Sequence, residues 1–477
     1  MVELLDQCLN KTLGEIDRRG IFRRAEASRK ITGIAGDVIE QSVFGCTADN
    51  KQKADFLVDG LRTELKTTGL RYSKKEKGKY EAEEPVTITA VSPDTIVTEE
   101  FAESHFWQKL AHLLFVYYLY DSPCTVPAAE YARFPVKGYE FHEFSPEDRD
   151  ILRSDWMQVR DFIAGLQRDY ADYEAQYPRI SHDLRKKLLY IDTAPKWPHH
   201  PRFRLRREFV TSIVREHFGE KLEQLSGQYA SMSDIDQRLH DKAEELRGDT
   251  VEKLLARYHI KQRATKGLME CVVVRMFGGQ SKRLNKVGLF RKAGLIARTD
   301  VLAFDGGKTE DMKLFMIGFD EIRDVSGDEE EDFRNSSFYE WFQKEMLCIM
   351  FHEPRTGKHV PLREAVFDGF KRLEYSEEFI EKEVRGLWNE LRQLVNGGQL
   401  QETFRRKKDG SIRCNKTGLP QQMVNFPKAS QRILFVRGSG TDSGKKPEVV
   451  NGICMYRQYV WIRGQDVAEL LKDVPYI

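Results

Sequence analysis

Asp55-Phe-Leu-Val-Asp-Gly-Leu-Arg-Thr-Glu64-Leu-Lys66 decides the fold of the first half of the chain. Asp59-Gly60 is a two-residue hairpin turn, because both positions tolerate positive φ. Counting outward, Val58 faces Leu61, Leu57 faces Arg62, Phe56 faces Thr63 and Asp55 faces Glu64. Directly opposed residues share one face, with Cβ atoms about 5 Å apart. Lys66, two residues past Glu64, points the same way. Phe56, Val58, Leu61, Thr63 and Leu65 line the other face and are expected to be mostly core. Two carboxylates and a lysine thus converge on one face. Like charges so close repel unless a cation lies between them. Divalent metals take such oxygen ligands, and a lysine beside the metal can orient the attacking water. This is the chemistry of metal-assisted phosphodiester hydrolysis. Glu-x-Lys alone is common and on a strand is usually a solvated charge pair. The register, the second acid and the apolar back face distinguish this one. Asp59 is the rival ligand, but its turn position already accounts for it.

Around this hairpin the chain has the composition of a folded globular protein. It has 477 residues, 40% of them hydrophobic and 32% charged, a length that suggests two or more domains. No run of eighteen apolar residues is present, so no transmembrane helix is expected. The start, Met-Val-Glu-Leu-Leu-Asp-Gln, lacks the basic and apolar regions of a signal peptide. Seven cysteines lie scattered without close pairs, which points to reduced thiols in a cytoplasmic protein. No zinc-ligand spacing occurs. His199-His200 is adjacent and reads as a loop pair near DNA. The net charge of +1 does not announce a nucleic-acid binder, but its distribution is uneven. Residues 182–215 hold Arg185, Lys186, Lys187, Lys196, Arg202, Arg204, Arg206, Arg207 and Arg215 with few acids. That is a local positive field suited to phosphate, or else a solvated basic face. The acidic run 327–332 reads as a solvated loop.

Residues 1–45 read as helical, with Thr12-Leu-Gly-Glu15 as a capping box and a helix from about Ile34 to Phe44 carrying Glu40. The hairpin follows at 54–68. Pro85–Val91 alternates as a half-buried strand. Ser104–His112 leads into the apolar run Leu113–Tyr120, a central strand. Ser145-Pro-Glu-Asp opens a helix that runs through Trp156 to about Tyr173. A short strand (187–191), a proline-rich loop (194–201) and a helix from Glu208 to Phe218 complete the half. Residues 221–250 are polar and read as a partly helical connector. Beyond it a weaker version of the same order begins. Thr250-Val-Glu-Lys parallels Thr12-Leu-Gly-Glu, and Gly294–Thr299 parallels the strand of Glu64 and Lys66. Ile296 then stands for Glu64, Arg298 for Lys66 and Val274 for Glu40, so the carboxylates are gone. A long helix (376–396) and a closing strand-loop-helix (431–472) end the chain. The expected domains are 1–225, the connector 226–249, and 250–477. An unrelated α/β domain is the competing description of the second half.

Several of these elements resemble, in order, the MutH mismatch-repair endonuclease family. They are Lys11-Thr-Leu-Gly-Glu-Ile, Gly36-Asp-Val-Ile-Glu40, Asp55 with Glu64-Leu-Lys66-Thr, and Ser104-His-Phe-Trp-Gln-Lys109-Leu. Asp150 with Asp155-Trp156, Tyr190 with Lys196, and Phe209–His217 follow. The whole chain resembles the two-domain, MutH-like type II restriction endonucleases that cut at GATC. The resemblance implies an α/β (α+β) PD-(D/E)xK fold, duplicated as two MutH-like domains. It implies that Asp55 and Glu64 bind Mg²⁺, that Lys66 positions the water, that Glu40 approaches the metal from its helix, and that Lys109 adds a cation near the scissile phosphate. Taken alone, Glu40 is an ordinary helix acid and Lys109 a solvated lysine. The expected partner is double-stranded DNA, at one or two sites, bound by a monomer or a DNA-induced dimer. Lys196, Arg202, Arg204, Arg206 and Arg207 are the expected DNA contacts. Arg437, Lys445 and Lys446 are those of a C-terminal effector domain of the kind that binds a second site. The glycine-rich stretch around Arg437 is not a Walker motif, because its glycine-to-lysine spacing is wrong.

The chain departs from the family in two places. The gap between Asp55 and Glu64 is two residues longer than usual, one on each arm, which keeps the two acids opposed. The loop Ala194-Pro-Lys-Trp-Pro-His-His-Pro-Arg202 keeps the lysine among unfamiliar neighbours. A methyl-directed nickase, a nuclease for modified DNA and a non-catalytic DNA-binding protein therefore stay open beside the restriction enzyme.

Overall fold

In the computed structural model Asp59 and Gly60 take φ values of +49° and +84°, and the hairpin closes as its sequence demands. The structure describes residues 1–25, 33–46, 56–73, 76–122, 126–184, 187–193, 201–227, 229–323, 329–334, 336–356, 360–415, 417–440, 442 and 444–477. The strands Phe56–Val58 (β1) and Leu61–Tyr72 (β2) pair antiparallel as Phe56↔Thr63, Leu57↔Arg62 and Val58↔Leu61. Asp55, and with it the pairing to Glu64, lies outside the described residues.

The chain divides into two compact units. The first comprises Met1–Ser122, Val126–Arg238 and Val274–Leu295. Val274–Leu295 thus packs with the first half, although its sequence position suggested the second. The main sheet runs β1-β2, then Leu113–Leu119 (β5), then Val136–His142 (β6), with Tyr80–Ala82 (β3) attached to β2. β2 and β5 are parallel, with Glu64↔Leu113 and Lys66↔Phe115, and β5 and β6 are antiparallel. All seven residues of β5 are buried, as expected of a strand covered on both faces. Leu13, Ile16, Ile34, Val38 and Ile39 from the N-terminal helices pack on Leu65, Leu114, Val116 and Tyr118. On the opposite face Tyr117 meets His217 and Phe218 at the end of the helix Arg207–His217. A second sheet orders Val86–Ala90 (β4), Arg202–Leu205 (β8) and Ile191–Asp192 (β7).

Local chemistry sets the helix ends. Thr12 and Glu15 form the reciprocal capping box. The Ser145 side chain caps the helix Pro146–Asp169, with Pro146 in its first turn. The segment from Ile34 continues as a π-helical turn, Val38–Val43, which holds Glu40. The apolar face of the hairpin departs from expectation at its tip. Leu65 and Thr63 are buried and Phe56 packs edge-on against Phe44 at 5.0 Å, but Leu61 is exposed. A two-strand tip has nothing to pack on beyond the edge of its sheet.

The second unit comprises Pro123–Thr125, Leu239–Val273 and Ile296–Ile477. The first of these segments lies outside the described residues. Ile296–Leu302 (β9) pairs parallel with Met346–His352 (β11), beginning at Ile296↔Met346. β11 pairs antiparallel with Val366–Leu373 (β12). The Thr250 side chain caps Val251–Arg257, and the Val251 amide donates to Ala365 O at 2.9 Å. In the first unit the Leu13 amide donates likewise to Phe134 O at 2.9 Å. A further sheet orders Met312–Met316 (β10), Gln458–Ile462 (β18) and Leu434–Gly438 (β15). Two ribbons stand apart from these sheets, Glu402–Phe404 (β13) with Gln422–Val424 (β14), and Glu448–Val450 (β16) with Ile453–Met455 (β17). Met346, Cys348 and Met350 pack with Leu387, Trp388 and Leu391 of the helix Arg385–Asn396 in the core. Among the described residues no helix is long and apolar enough to cross a membrane.

Candidate active site

Glu64 is the centre of the site. Its residue is only 3% exposed, so its carboxylate has to be met by partners. Lys66 Nζ donates to Oε1 at 2.8 Å. Lys109 Nζ donates to Oε1 at 2.9 Å and to Oε2 at 3.1 Å. Lys66 reaches Glu64 because residues two apart on a strand share a face. Lys109 arrives through topology. The helix His105–Leu110, capped by the Ser104 side chain, ends just before β5, and the Glu64 amide donates to His112 O at 3.0 Å in the connecting turn. Parallel pairing of β2 and β5 therefore sets the last turn of that helix beside the start of β2. Phe106 and Leu110 of the helix are buried, which leaves Lys109 on its polar flank.

The polar face of the hairpin is thus no solvent face at Glu64. One carboxylate and two ammonium groups leave this cluster net positive, as a site for a phosphodiester or for a second carboxylate would be. Among the described residues no group of three or more His, Cys, Asp or Glu is placed to hold a metal ion; Asp55 is not among those residues. Glu40 is half-exposed on the helical layer whose Gly36, given a Cβ, would lie 3.7 Å from Thr67 Oγ1. Among the described residues, the expected catalytic side chains that the structure gathers are Glu64, Lys66 and Lys109.

The basic stretch has a more internal role than its charge suggested. Arg204 forms a bidentate pair with Asp192 at 2.7 and 3.0 Å. Arg206 Nε donates to Ile191 O and Arg207 Nε to Ala82 O. Arg215 is buried and paired with Glu76 and Glu81. Arg202 is exposed. Lys196 and His199-His200 lie outside the described residues. In the second unit Arg437 donates to Asp311 at 2.8 Å and sits 4.9 Å from the rings of both Phe435 and Trp461. Lys445 is exposed and Lys446 half-exposed.

Two buried carboxylate contacts were not anticipated. The Asp155 carboxylate is fully buried and accepts from the amides of Leu189 (2.9 Å), Tyr190 (2.7 Å) and Ile191 (3.2 Å). Burial pushes its pKa up to about 6 against those amides. It fixes the segment Leu189–Ile191. Lys292 donates to both oxygens of Asp148 at 3.0 and 2.7 Å, and both residues are buried. Asp155 could be singled out in sequence by the family pattern alone, and the Asp148–Lys292 pair by no local signal.

A search of curated proteins finds no match to the chain. Residues 44–155 match the family model for MutH, described as the DNA mismatch repair enzyme MutH. The matched stretch takes in the hairpin, Glu64, Lys66, Lys109 and Asp155. The N-terminal region of this chain is therefore MutH-like, an endonuclease region by family.

Proposed function

We propose that the chain is a Mg²⁺-dependent, site-specific endonuclease of double-stranded DNA, of the type II restriction kind, acting at a short site such as GATC. The observation that supports it most is the buried Glu64 carboxylate clasped by Lys66 and Lys109 in a region of MutH type. Asp55 and Glu64 would hold the metal, since both offer the hard oxygen donors that Mg²⁺ prefers. When bound, such an ion supplies a Lewis acid and lowers the pKa of water. Lys66 orients the attacking water, and Lys109 neutralises charge on the scissile phosphate. Glu40 would approach the site from its helix. Hydrolysis leaves a 5′-phosphate and a 3′-hydroxyl. Lys196 and Arg202 would meet the bases and phosphates, while Arg204, Arg206 and Arg207 would hold the strands beneath them in place.

The second unit is proposed as a repeat that has lost its chemistry and serves as an effector DNA-binding domain. A threonine-capped helix, a parallel strand pair and an antiparallel third strand occur in the same order in each unit. Glu64 faces the first paired residue of β5, and Ile296 that of β11. Arg298 then matches Lys66, and its guanidinium donates to the carbonyls of Ala297 and Leu314 instead of a carboxylate. Arg437, Lys445 and Lys446 are its proposed DNA contacts.

The test is plasmid cleavage with Mg²⁺ and with EDTA, using the wild type and Glu64→Ala. Cutting that survives either EDTA or the substitution overturns the assignment. The family description favours one second reading, a methyl-directed mismatch-repair nickase. Nicked circles as the end product, in place of linear DNA, would select it. Unmodified, adenine-methylated and cytosine-modified GATC substrates run side by side identify the preferred DNA, including the modified-DNA specificity that the 194–202 loop suggests.

A further inference from the structure

The segment from Gln401 to Asn425 is an arm with a firm root and an uncovered tip. At its root β13 and β14 pair as Glu402↔Val424, Thr403↔Met423 and Phe404↔Gln422. Asn425 fastens them, accepting from the Gln401 amide at 2.8 Å and donating to Gln399 O at 3.0 Å. Above the root the chain divides at a three-way junction of backbone hydrogen bonds. Arg405 N–H donates to Gln421 O, Gln421 N–H to Arg413 O, and Arg413 N–H to Arg405 O, at 2.9, 2.8 and 2.7 Å. Two small loops leave it. Asp409 closes the first by accepting from the Ser411 amide and hydroxyl. Asn415 closes the second by accepting from the amides of Thr417 and Leu419.

Every residue from Gln401 to Cys414 is exposed. Over that stretch the arm has no core, and its shape there rests on backbone pairing and two polar turns. Ribbons of that kind are marginal in water. Onto this support the sequence places Arg405, Arg406, Lys407, Lys408 and Arg413. Its acids are already committed, Asp409 to Ser411 and Glu402 to Gln422 at 2.8 Å. Among the described residues none of the five cations has a carboxylate partner; Arg406 donates to Gly410 O. Phe404, Ile412 and Leu419 are also exposed on the arm. Five such cations on a ribbon with no packing of its own repel one another. A polyanion would relieve that repulsion.

We infer that this arm is a duplex-DNA contact, seating the cationic loop 405–413 against the phosphates bordering a groove. The inference rests on the proposed action on DNA and names a surface that reading does not use. A two-stranded ribbon fits the major groove, about 12 Å wide, which would bring the five cations to the phosphates on its rims. Contacts of this kind position the protein without reading sequence.

The experiment measures binding of the full chain to duplexes with and without GATC, in EDTA, across a salt series. The quadruple variant Arg405→Ala, Arg406→Ala, Lys407→Ala, Lys408→Ala is compared with wild type and with a charge-preserving variant in which Arg and Lys are exchanged. Each lost phosphate contact removes about 0.9 from the slope of log K against log salt. The quadruple variant is expected to lose about 3 to 4 from that slope on both duplexes equally. The exchanged variant keeps the slope, and both variants keep the wild-type melting temperature. A wild-type slope in the quadruple variant, with DNA still bound, overturns the arm alone. Failure of the wild type to bind either duplex overturns the nuclease reading with it. Loss of binding to anionic vesicles with duplex binding intact also overturns the inference.

Discussion

Lys109 Nζ lies 2.9 Å from Oε1 of Glu64, a residue 45 positions earlier in the chain. The pair exists because Leu113, the first residue of β5, is paired with Glu64, so the helix that ends just before β5 comes beside that carboxylate. Lys109→Ala should leave Glu64 with Lys66 as its partner and so cost only about 1–2 kcal/mol of stability. Cleavage should fall on the order of 10²-fold, as when one charge-stabilising donor is removed. Single-turnover cutting and urea unfolding of the same preparation separate the two effects. Unchanged cutting would mean that Lys109 merely neutralises a buried acid.

Asp148 and Lys292 are buried together, so Lys292→Ala leaves an uncompensated carboxylate. A loss of roughly 3–5 kcal/mol is expected, read by chemical denaturation. The double variant Asp148→Asn with Lys292→Met, which has no buried charge left at this position, should recover much of it.

Asp155→Ala removes the acceptor for three buried amides. Each orphaned amide costs about 1–3 kcal/mol, so the melting temperature should drop sharply. Faster hydrogen exchange at Leu189, Tyr190 and Ile191 would locate the damage. Exchange rates unchanged at those three amides would remove Asp155 as the support of that segment.

Asp300 is buried in the second unit, and burial pushes its pKa up to about 6, with Lys266, Cys348 and Arg298 opposing. A raised carboxyl pKa stabilises the fold when the group is protonated. That contribution is complete below the ordinary value near 4 and is lost as pH rises through about 6. The stability of wild type relative to Asp300→Asn should therefore fall by roughly 2–3 kcal/mol between pH 4 and pH 7. A pH-independent difference between the two proteins would contradict the shift.

The hairpin and the Glu64–Lys66 pair were legible in sequence because turn geometry and strand alternation are local. Thr12 with Glu15, and Ser145 with Pro146, were legible for the same reason. Lys109 was legible only through family resemblance, since nothing near it in sequence distinguishes it from a solvated lysine. The basic stretch was legible as charge but not as structure. Arg204 and Arg215 find their acids at Asp192, Glu76 and Glu81, and charge counting along a chain cannot see partners delivered by folding. The reverse holds for Arg405–Lys408. No sequence reading singled that run out, and its exposure is a property of the fold.

Val274–Leu295 belongs to the first compact unit, and it brings Lys292 to Asp148 and Lys286 to Glu76 and Glu220. A ribosome that has just finished Arg238 has therefore not yet made everything this unit is built from. Until Leu295 clears the exit tunnel, Asp148 and Glu220 wait without those cations. Well over half of the polypeptide must be translated before this unit has all of its parts.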